Sequence, residues 1–305
     1  MTSSVDGSIL SQLEESRRQF LELVNDVRPD LHRYCARMTG STADGEDIVQ
    51  ETLARAYYEL PELKELPAMR SWLFRIAHNR ALDYLRRYER RMGEPLEVAA
   101  DIAADNLAEP DIALARQEAV RGAISQFLEL VPAQRSCVIL KDVLDYSLEE
   151  IAAMLELSVS AVKAALHRGR TRLRELSRVS TSPAPPRTTS PALARYAALF
   201  NARDWDGVRA LLVEDVKLDL VSRWKTAGRR QVSTYFTNYD SVTDWYLVPG
   251  WLDGREVLAV LRKPRAARPA YFIELRLADD GRVTTIRDFR HVPYIANEAD
   301  IKFLR

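Results

Sequence analysis

Between residues 179 and 190 the chain reads VSTSPAPPRTTS, a run of Ser, Thr and Pro with almost no large apolar side chain. Such a segment cannot bury a core and behaves as a semi-rigid spacer, so it divides the chain into parts that fold separately. Upstream of it the apolar residues recur at helical spacing. Downstream they alternate with period two. One architecture cannot satisfy both periods, and the change predicts a multidomain protein: all-α in its first part, α+β in its second.

The remaining totals exclude whole classes. In 305 residues, 47% hydrophobic and 29% charged, no apolar run approaches a membrane span. The first residues, MTSSVDGSILSQLEESRRQF, carry acids where a secretory leader needs basic residues and an apolar block, so the expected location is the cytoplasm. Cys35 and Cys137 are far apart within helical patterns; they are expected to be buried free thiols, and no metal or cofactor is implied. A formal net charge of zero hides segregation. Acids dominate from Asp44 to Glu65, while arginines dominate from Arg70 to Arg91 and basic residues from Ser158 to Arg178. An acidic surface beside two basic ones suggests a protein partner and a nucleic acid.

The first part reads as two helical segments, 13–92 and 111–178, joined by a mildly acidic linker at 93–110. In the first segment Val49, Leu53, Ala56 and Leu60 make one buried stripe, leaving Asp47, Gln50 and Glu51 turned elsewhere. The second segment contains SLEEIAAML and SVSAVKAALHRGRTRLREL. Ser147 with Glu150 is a capping-box pattern and Ser158 can cap the next helix; two helices joined by so short a turn form a helix-turn-helix. In that motif the start of the second helix faces base edges and basic residues beyond it meet phosphates. Lys163, His167, Arg170 and Arg174 follow at i, i+4, i+7 and i+11, which predicts a basic ladder along one face. A second basic block, SWLFRIAHNRALDYLRRYERR, mixes aromatics with arginines as single-strand binding surfaces do. Together the two helices would engage both double-stranded and opened DNA.

That combination carries a resemblance. DGEDIVQETLARAYYEL followed by MRSWLFRIAHNRALDYLRRYERR resembles region 2 of bacterial extracytoplasmic-function (ECF) RNA polymerase sigma factors, and LVPAQRSCVILKDVLDYSLEEIAAMLELSVSAVKAALHRGRTRLREL resembles their region 4. The resemblance implies that Asp47, Gln50, Glu51 and Arg55 dock on the beta-prime clamp helices of core RNA polymerase, with the beta flap as a further part of that partner. Trp72, His78, Asn79, Arg80, Asp83, Arg86 and Arg87 would hold the opened minus-ten element. Ser158, Ser160, Ala161, Lys163, His167 and Arg168 would read the minus-thirty-five element. Glu156 departs from the family where many members carry Gly in the turn, and Ala164 and Ala165 depart where hydroxylic or basic residues are common.

The third part, 191–305, opens with two helical patterns and continues with VKLDLV, REVLAVLR, AYFIELRLA and RVTTIRDFRHV, strands of a curved antiparallel sheet; Asp279 to Gly281 signal a hairpin between the last two. Element order and ALARYAALFNARDWDGVRALLVEDVKLDL resemble the SnoaL-like branch of the NTF2-like fold, a cone of sheet closed by helices. The resemblance implies a regulatory extension that tunes sigma activity, with a small molecule or a protein as its signal. Trp224, Tyr235, Phe236, Trp245, Trp251, Tyr271, Phe272 and Phe289 supply aromatic surface for a pocket. Enzymes of that fold use acid–base pairs, so Asp219, Asp288 and His291 are weighed for catalysis; surface or structural roles are expected, and no enzyme activity. Two rivals remain at this point: a one-component helix-turn-helix regulator with a ligand-sensing domain, and a pocket enzyme tethered to a DNA-binding module.

Overall fold

A computed structural model describes residues 3–60, 69–92, 124–179, 188–240, 244–299 and 301–303. The chain divides into two compact units, Met1–Ser182 and Pro183–Arg305, consistent with the break in periodicity. The proposed linker at 93–110, residues 111–123 and most of the Pro/Ser/Thr spacer lie outside the described residues.

The first unit is helical. Helix α1 (Ser3–Thr39) lies against α2 (Thr42–Glu59), which starts where the Ser41 side chain accepts the Asp44 N–H, and against α3 (Met69–Met92). Gly45 makes the α1–α2 approach possible, since a Cβ there would stand 2.5 Å from the Ala36 backbone nitrogen. The expected stripe is in place, with Val49, Ala56 and Leu60 buried and Leu53 packed against the same core. After a 3-10 turn (Ile124–Glu129), α4 (Pro132–Val138) begins on its proline and runs into a wider π turn, Ile139–Val143. The pair α5 (Leu148–Leu155) and α6 (Val159–Val179) follows.

The two helical segments share one core. Leu31, Phe74, Phe127, Val138, Ile151 and Val162 belong to a single buried cluster. Polar groups cross the same seam. Arg135 is 2% exposed and donates to the carbonyls of Leu128, Leu130 and Met38. The Tyr34 hydroxyl lies 2.7 Å from His78 Nδ1 and 3.1 Å from Ser136 Oγ. Arg70 bridges Asp30 on α1 to the Tyr146 hydroxyl.

The second unit is α+β. Helices α7 (Pro191–Asn201), α8 (Trp205–Ala210) and α9 (Arg229–Asp240) accompany a seven-stranded sheet. Its strands are β1 (Leu212–Leu220), β2 (Trp224–Ala227), β3 (Tyr246–Leu252), β4 (Arg255–Leu261), β5 (Tyr271–Leu277), β6 (Val283–Asp288) and β7 (Lys302–Phe303), in the order β2-β1-β6-β5-β4-β3-β7. A short α10 (Tyr294–Glu298) lies between β6 and β7. The expected all-antiparallel sheet needs one correction: β1 and β6 pair in parallel, because the long excursion through β2 to β5 returns the chain to the other edge of β1. The hairpin between β5 and β6 turns at Gly281, whose φ of +79° suits a residue without a Cβ. Tyr196, Phe200, Phe236, Tyr271, Ile273 and Ile286 fill the layer between helices and sheet. On the opposite face Phe272 and Phe289 stack at 4.3 Å.

Candidate nucleic-acid and polymerase interfaces

Helix α2 presents one face outward. Asp47 and Gln50 are half-buried at its base, while Glu51, Ala54, Arg55 and Tyr58 are exposed along the same stripe at i+4, i+7, i+8 and i+11 from Asp47. The face is less acidic than the sequence suggests. Glu46 is fully buried and paired to Arg28 at 2.5 Å, Asp44 accepts the Tyr84 hydroxyl, and Glu59 is tied to Arg55 at 2.6 Å. Sequence reasoning passed over Tyr58, which is 82% exposed and continues the Glu51 and Arg55 face. Its position two turns beyond Glu51 was the available signal.

On α3 the residues expected at the minus-ten element divide into two groups. Asn79, Asp83, Arg86 and Arg87 are exposed; Arg86 lies 3.6 Å from Asp83, and Arg87 donates to the Asp83 carbonyl. Trp72 packs half-buried against the core, and Arg80 is half-buried with its Nε enclosed by protein. His78 faces inward to Tyr34 and Ser136, the latter 3.2 Å from its Nδ1. Burial lowers its pKa to about 4, so at neutral pH the ring is uncharged.

The helix-turn-helix forms as the capping residues require. Ser147 accepts the Glu150 N–H while Glu150 accepts the Ser147 N–H, a complete capping box, and Ser158 accepts the Ala161 N–H at 3.1 Å. Between the helices Glu156 adopts φ +57°, the left-handed conformation that glycine takes most easily. This gives a physical reason for the family's usual Gly there. The Glu156 carboxylate reaches Arg75 on α3 at 3.3 Å. At the reading end Ser158, Ser160 and Lys163 are exposed and Ala161, His167 and Arg168 are half-buried. The expected basic ladder is corrected at Arg170. That guanidinium is 9% exposed and clasps Asp142 through two bonds of 2.9 and 2.6 Å, so it holds α6 to the π turn and cannot face phosphate.

Cys35 and Cys137 are buried free thiols, and burial pushes Cys137 up to about 12. Among the described residues no helix is long and apolar enough to cross a membrane, and no cluster of His, Cys, Asp or Glu could hold a metal ion. In the second unit Trp224 is half exposed, and Phe272 and Phe289 lie on the sheet face away from the helices, so these three do not line an interior with Tyr235, Phe236, Trp245 and Tyr271. Trp251 is half-buried and His291 is exposed. Asp219 lies 3.2 Å from Lys225 and 3.6 Å from Arg287. Of the weighed acid–base trio only Asp288 sits in the aromatic layer, bonded to Tyr235 and Tyr239.

A helix bundle with an outward polar helix, an arginine-bearing helix and a capped helix-turn-helix defines a sigma-70-type DNA-binding protein. Residues 23–91 match the family described as Sigma-70 region 2, and residues 124–173 match Sigma-70, region 4. The chain is 33% identical over 235 residues to the ECF RNA polymerase sigma factor SigG of Mycobacterium tuberculosis, covering 66% of this chain and 63% of that relative. It is 30% identical over 164 residues to the ECF RNA polymerase sigma factor SigW of Bacillus subtilis, covering 51% of this chain and 87% of that protein. The crystal structure of the Mycobacterium tuberculosis extracytoplasmic function sigma factor SigJ is similar at 20% identity and a TM-score of 0.35, over 88% of this chain and 95% of that one. This chain belongs to the ECF RNA polymerase sigma factor family. It spans less than two thirds of the length of its SigG relative.

Proposed function

We propose that this protein binds core RNA polymerase, directs it to a restricted set of promoters in the cytoplasm, and has its activity tuned by the C-terminal unit. The observation that carries the reading is the order of two matched sigma regions in one chain, with exposed polar residues at the expected reading ends of both. In this reading the α2 face with Asp47, Gln50, Glu51 and Arg55 meets the beta-prime clamp helices, and region 4 approaches the beta flap. Asn79, Asp83, Arg86 and Arg87 hold the opened minus-ten strand, with Trp72, His78 and Arg80 beside them. Ser158, Ser160, Ala161, Lys163, His167 and Arg168 read the minus-thirty-five duplex. The protein acts by binding, and the chemistry of transcription belongs to the polymerase.

Geometry adds a requirement. The two promoter elements are separated by about 25 base pairs, on the order of 85 Å along the duplex at ~3.4 Å per pair. Two regions that share a core, with His78 and Ser136 3.2 Å apart, cannot span that distance. The packed form is therefore a resting form, and promoter engagement requires the seam to part.

Reconstituted run-off transcription with core polymerase tests the reading. The full chain is expected to co-purify with core polymerase and support initiation. Lys163→Ala should weaken promoter binding by about tenfold, since one lost phosphate or base contact is worth about 1–3 kcal/mol. Truncation after Ser182 should change the yield without abolishing it. A chain that binds duplex DNA yet never supports initiation overturns the proposal.

A further inference from the structure

The strand directions of the C-terminal sheet bring three chain segments to one end of it. β1 runs parallel to β6, and β5 is antiparallel to both its neighbours. The turn after β1, the residues after β6 and the loop 262–270 between β4 and β5 therefore all leave the sheet at the same end. These segments are rich in cations. The loop reads RKPRAARPA, so it holds Arg262, Lys263, Arg265 and Arg268 and no acid, and all four are exposed. The β1–β2 turn adds the exposed Arg223, and Arg290 follows β6.

At the opposite end of the sheet arginines are tied to carboxylates: Arg229 lies 3.3 Å from Glu214, and Arg282 lies 2.7 Å from Asp280. The basic end is different. Arg262 is held by Asp244 at 3.1 Å, but Lys263, Arg265, Arg268 and Arg223 pair with no carboxylate among the described residues. The loop that carries three of these free cations is stiff. The Ala266 N–H donates to the Lys263 carbonyl at 3.0 Å and the Ala270 N–H to the Val260 carbonyl at 2.8 Å, while Pro264 and Pro269 fix two φ angles. The Arg262 guanidinium lies over the Trp245 ring at 3.5 Å and anchors the start of the loop. A loop already ordered loses little freedom on contact.

We propose that this end of the sheet is a DNA-backbone contact, by which the C-terminal unit grips the phosphates of a duplex. Composition selects the partner. A protein–protein interface needs an apolar centre and is depleted in lysine, whereas this loop offers guanidinium and ammonium groups with only alanine and proline between them. Those are the groups that bind phosphate. From the β1–β2 turn to the β4–β5 loop is three strand spacings, about 14 Å at ~4.8 Å each, which matches about four phosphates of one strand at ~3.4 Å per base pair. Phosphates carry no sequence information, so the contact adds affinity for any duplex. It does not need the seam of the helical unit to part, so the resting form can be kept on DNA. This inference rests on the reading of the chain as a promoter-binding factor and adds a contact outside both matched sigma regions.

The experiment uses the full chain and a short duplex of random sequence, with binding followed by fluorescence anisotropy across a salt series. Each phosphate neutralised contributes about 0.9 to the slope of log K against log salt. The combined variant Lys263→Gln, Arg265→Gln, Arg268→Gln removes side chains that bond nothing among the described residues. It should lower the slope by about 2 to 3 and weaken random and promoter duplexes equally. Arg276→Gln, an exposed cation toward the opposite end of the sheet, should leave the slope unchanged. Ala267→Cys carrying an iron chelate reports position: both natural thiols are buried, so the label goes to the loop, and with ascorbate it should cleave the bound duplex. A slope unchanged by the triple variant overturns the proposal, and so does a label that cuts nothing. An equal effect of Arg276→Gln reduces the contact to net charge and overturns it as well. If the triple variant loses core polymerase while its salt slope is kept, the loop faces an acidic protein surface and DNA is the wrong occupant. A native chain that never prefers a promoter to random duplex sinks the promoter reading alone, and the salt slope still judges the loop.

Discussion

The two units bury polar groups for different purposes. In the helical unit a set of polar contacts crosses the seam between regions 2 and 4: Arg135 to the Met38 carbonyl, Tyr34 to Ser136, and Arg70 to Tyr146. In the C-terminal unit the polar groups converge on one residue, Asp288, from α9 and the sheet. Groups aligned along a seam are groups that water can satisfy when the seam opens. A convergent cluster has no such escape, and the fold must hold it permanently. Under the proposed function the first is a joint that parts, while the second is an interior that stays closed.

The largest test removes one anchor from each network. Arg135→Ala leaves three carbonyls short of a donor and should destabilise the helical unit by about 3 kcal/mol. Asp288→Ala strands the Tyr235 and Tyr239 hydroxyls and should cost roughly 2 kcal/mol in the C-terminal unit. Calorimetry of each variant should move one transition and leave the other in place; a shift of both would dissolve the contrast.

A pH series sharpens it next. His78 is held below its ordinary pKa, at about 4, so the unfolded chain takes up a proton before the folded one does. Its contribution to the packed form is complete above pH 6.5 and is lost as the pH falls through the window from 6.5 to 4. Between pH 6.5 and 5 the loss amounts to about 2 kcal/mol at ~1.4 kcal/mol per unit. Denaturant titrations of the native chain and of His78→Gln should show the steeper acid dependence only in the native protein.

The smallest effect concerns the turn. Glu156→Gly relieves a left-handed side-chain residue but forfeits an exposed ion pair with Arg75. Surface pairs contribute ~0–1 kcal/mol and the left-handed backbone costs about 1–2 kcal/mol, so the net change in stability should be small, between about 0 and 2 kcal/mol in favour of the glycine. If the variant loses several kcal/mol, the Arg75 contact is part of the seam and not an accessory to it.

Much of this was legible in the sequence for identifiable reasons. The capping box at Ser147, the Ser158 cap and the Val49 stripe are local patterns, and local patterns survive folding. What escaped depends on distant residues. Arg170 has the spacing of a surface cation, and only the π turn that brings Asp142 inward makes it a buried partner. His78 fits a DNA-contact pattern, yet Tyr34 and Ser136, 44 and 58 residues away, enclose it. Strand β2 is four residues long and β3 contains Pro249 and Gly250, so neither shows clean alternation. The parallel pairing of β1 with β6 is a property of the chain's return path, to which alternation is blind.

Under the proposed function, the bidentate bond between Arg170 and Asp142 bears on how promoters would be told apart. It fixes α6 to the rest of region 4 through a planar fork that resists rotation. In the proposed function α6 would be delivered to the groove already aimed, with little orientational freedom left to lose on contact. Differences in affinity among promoters should then reflect the base pairs themselves, undiluted by a shared cost of assembling the reader.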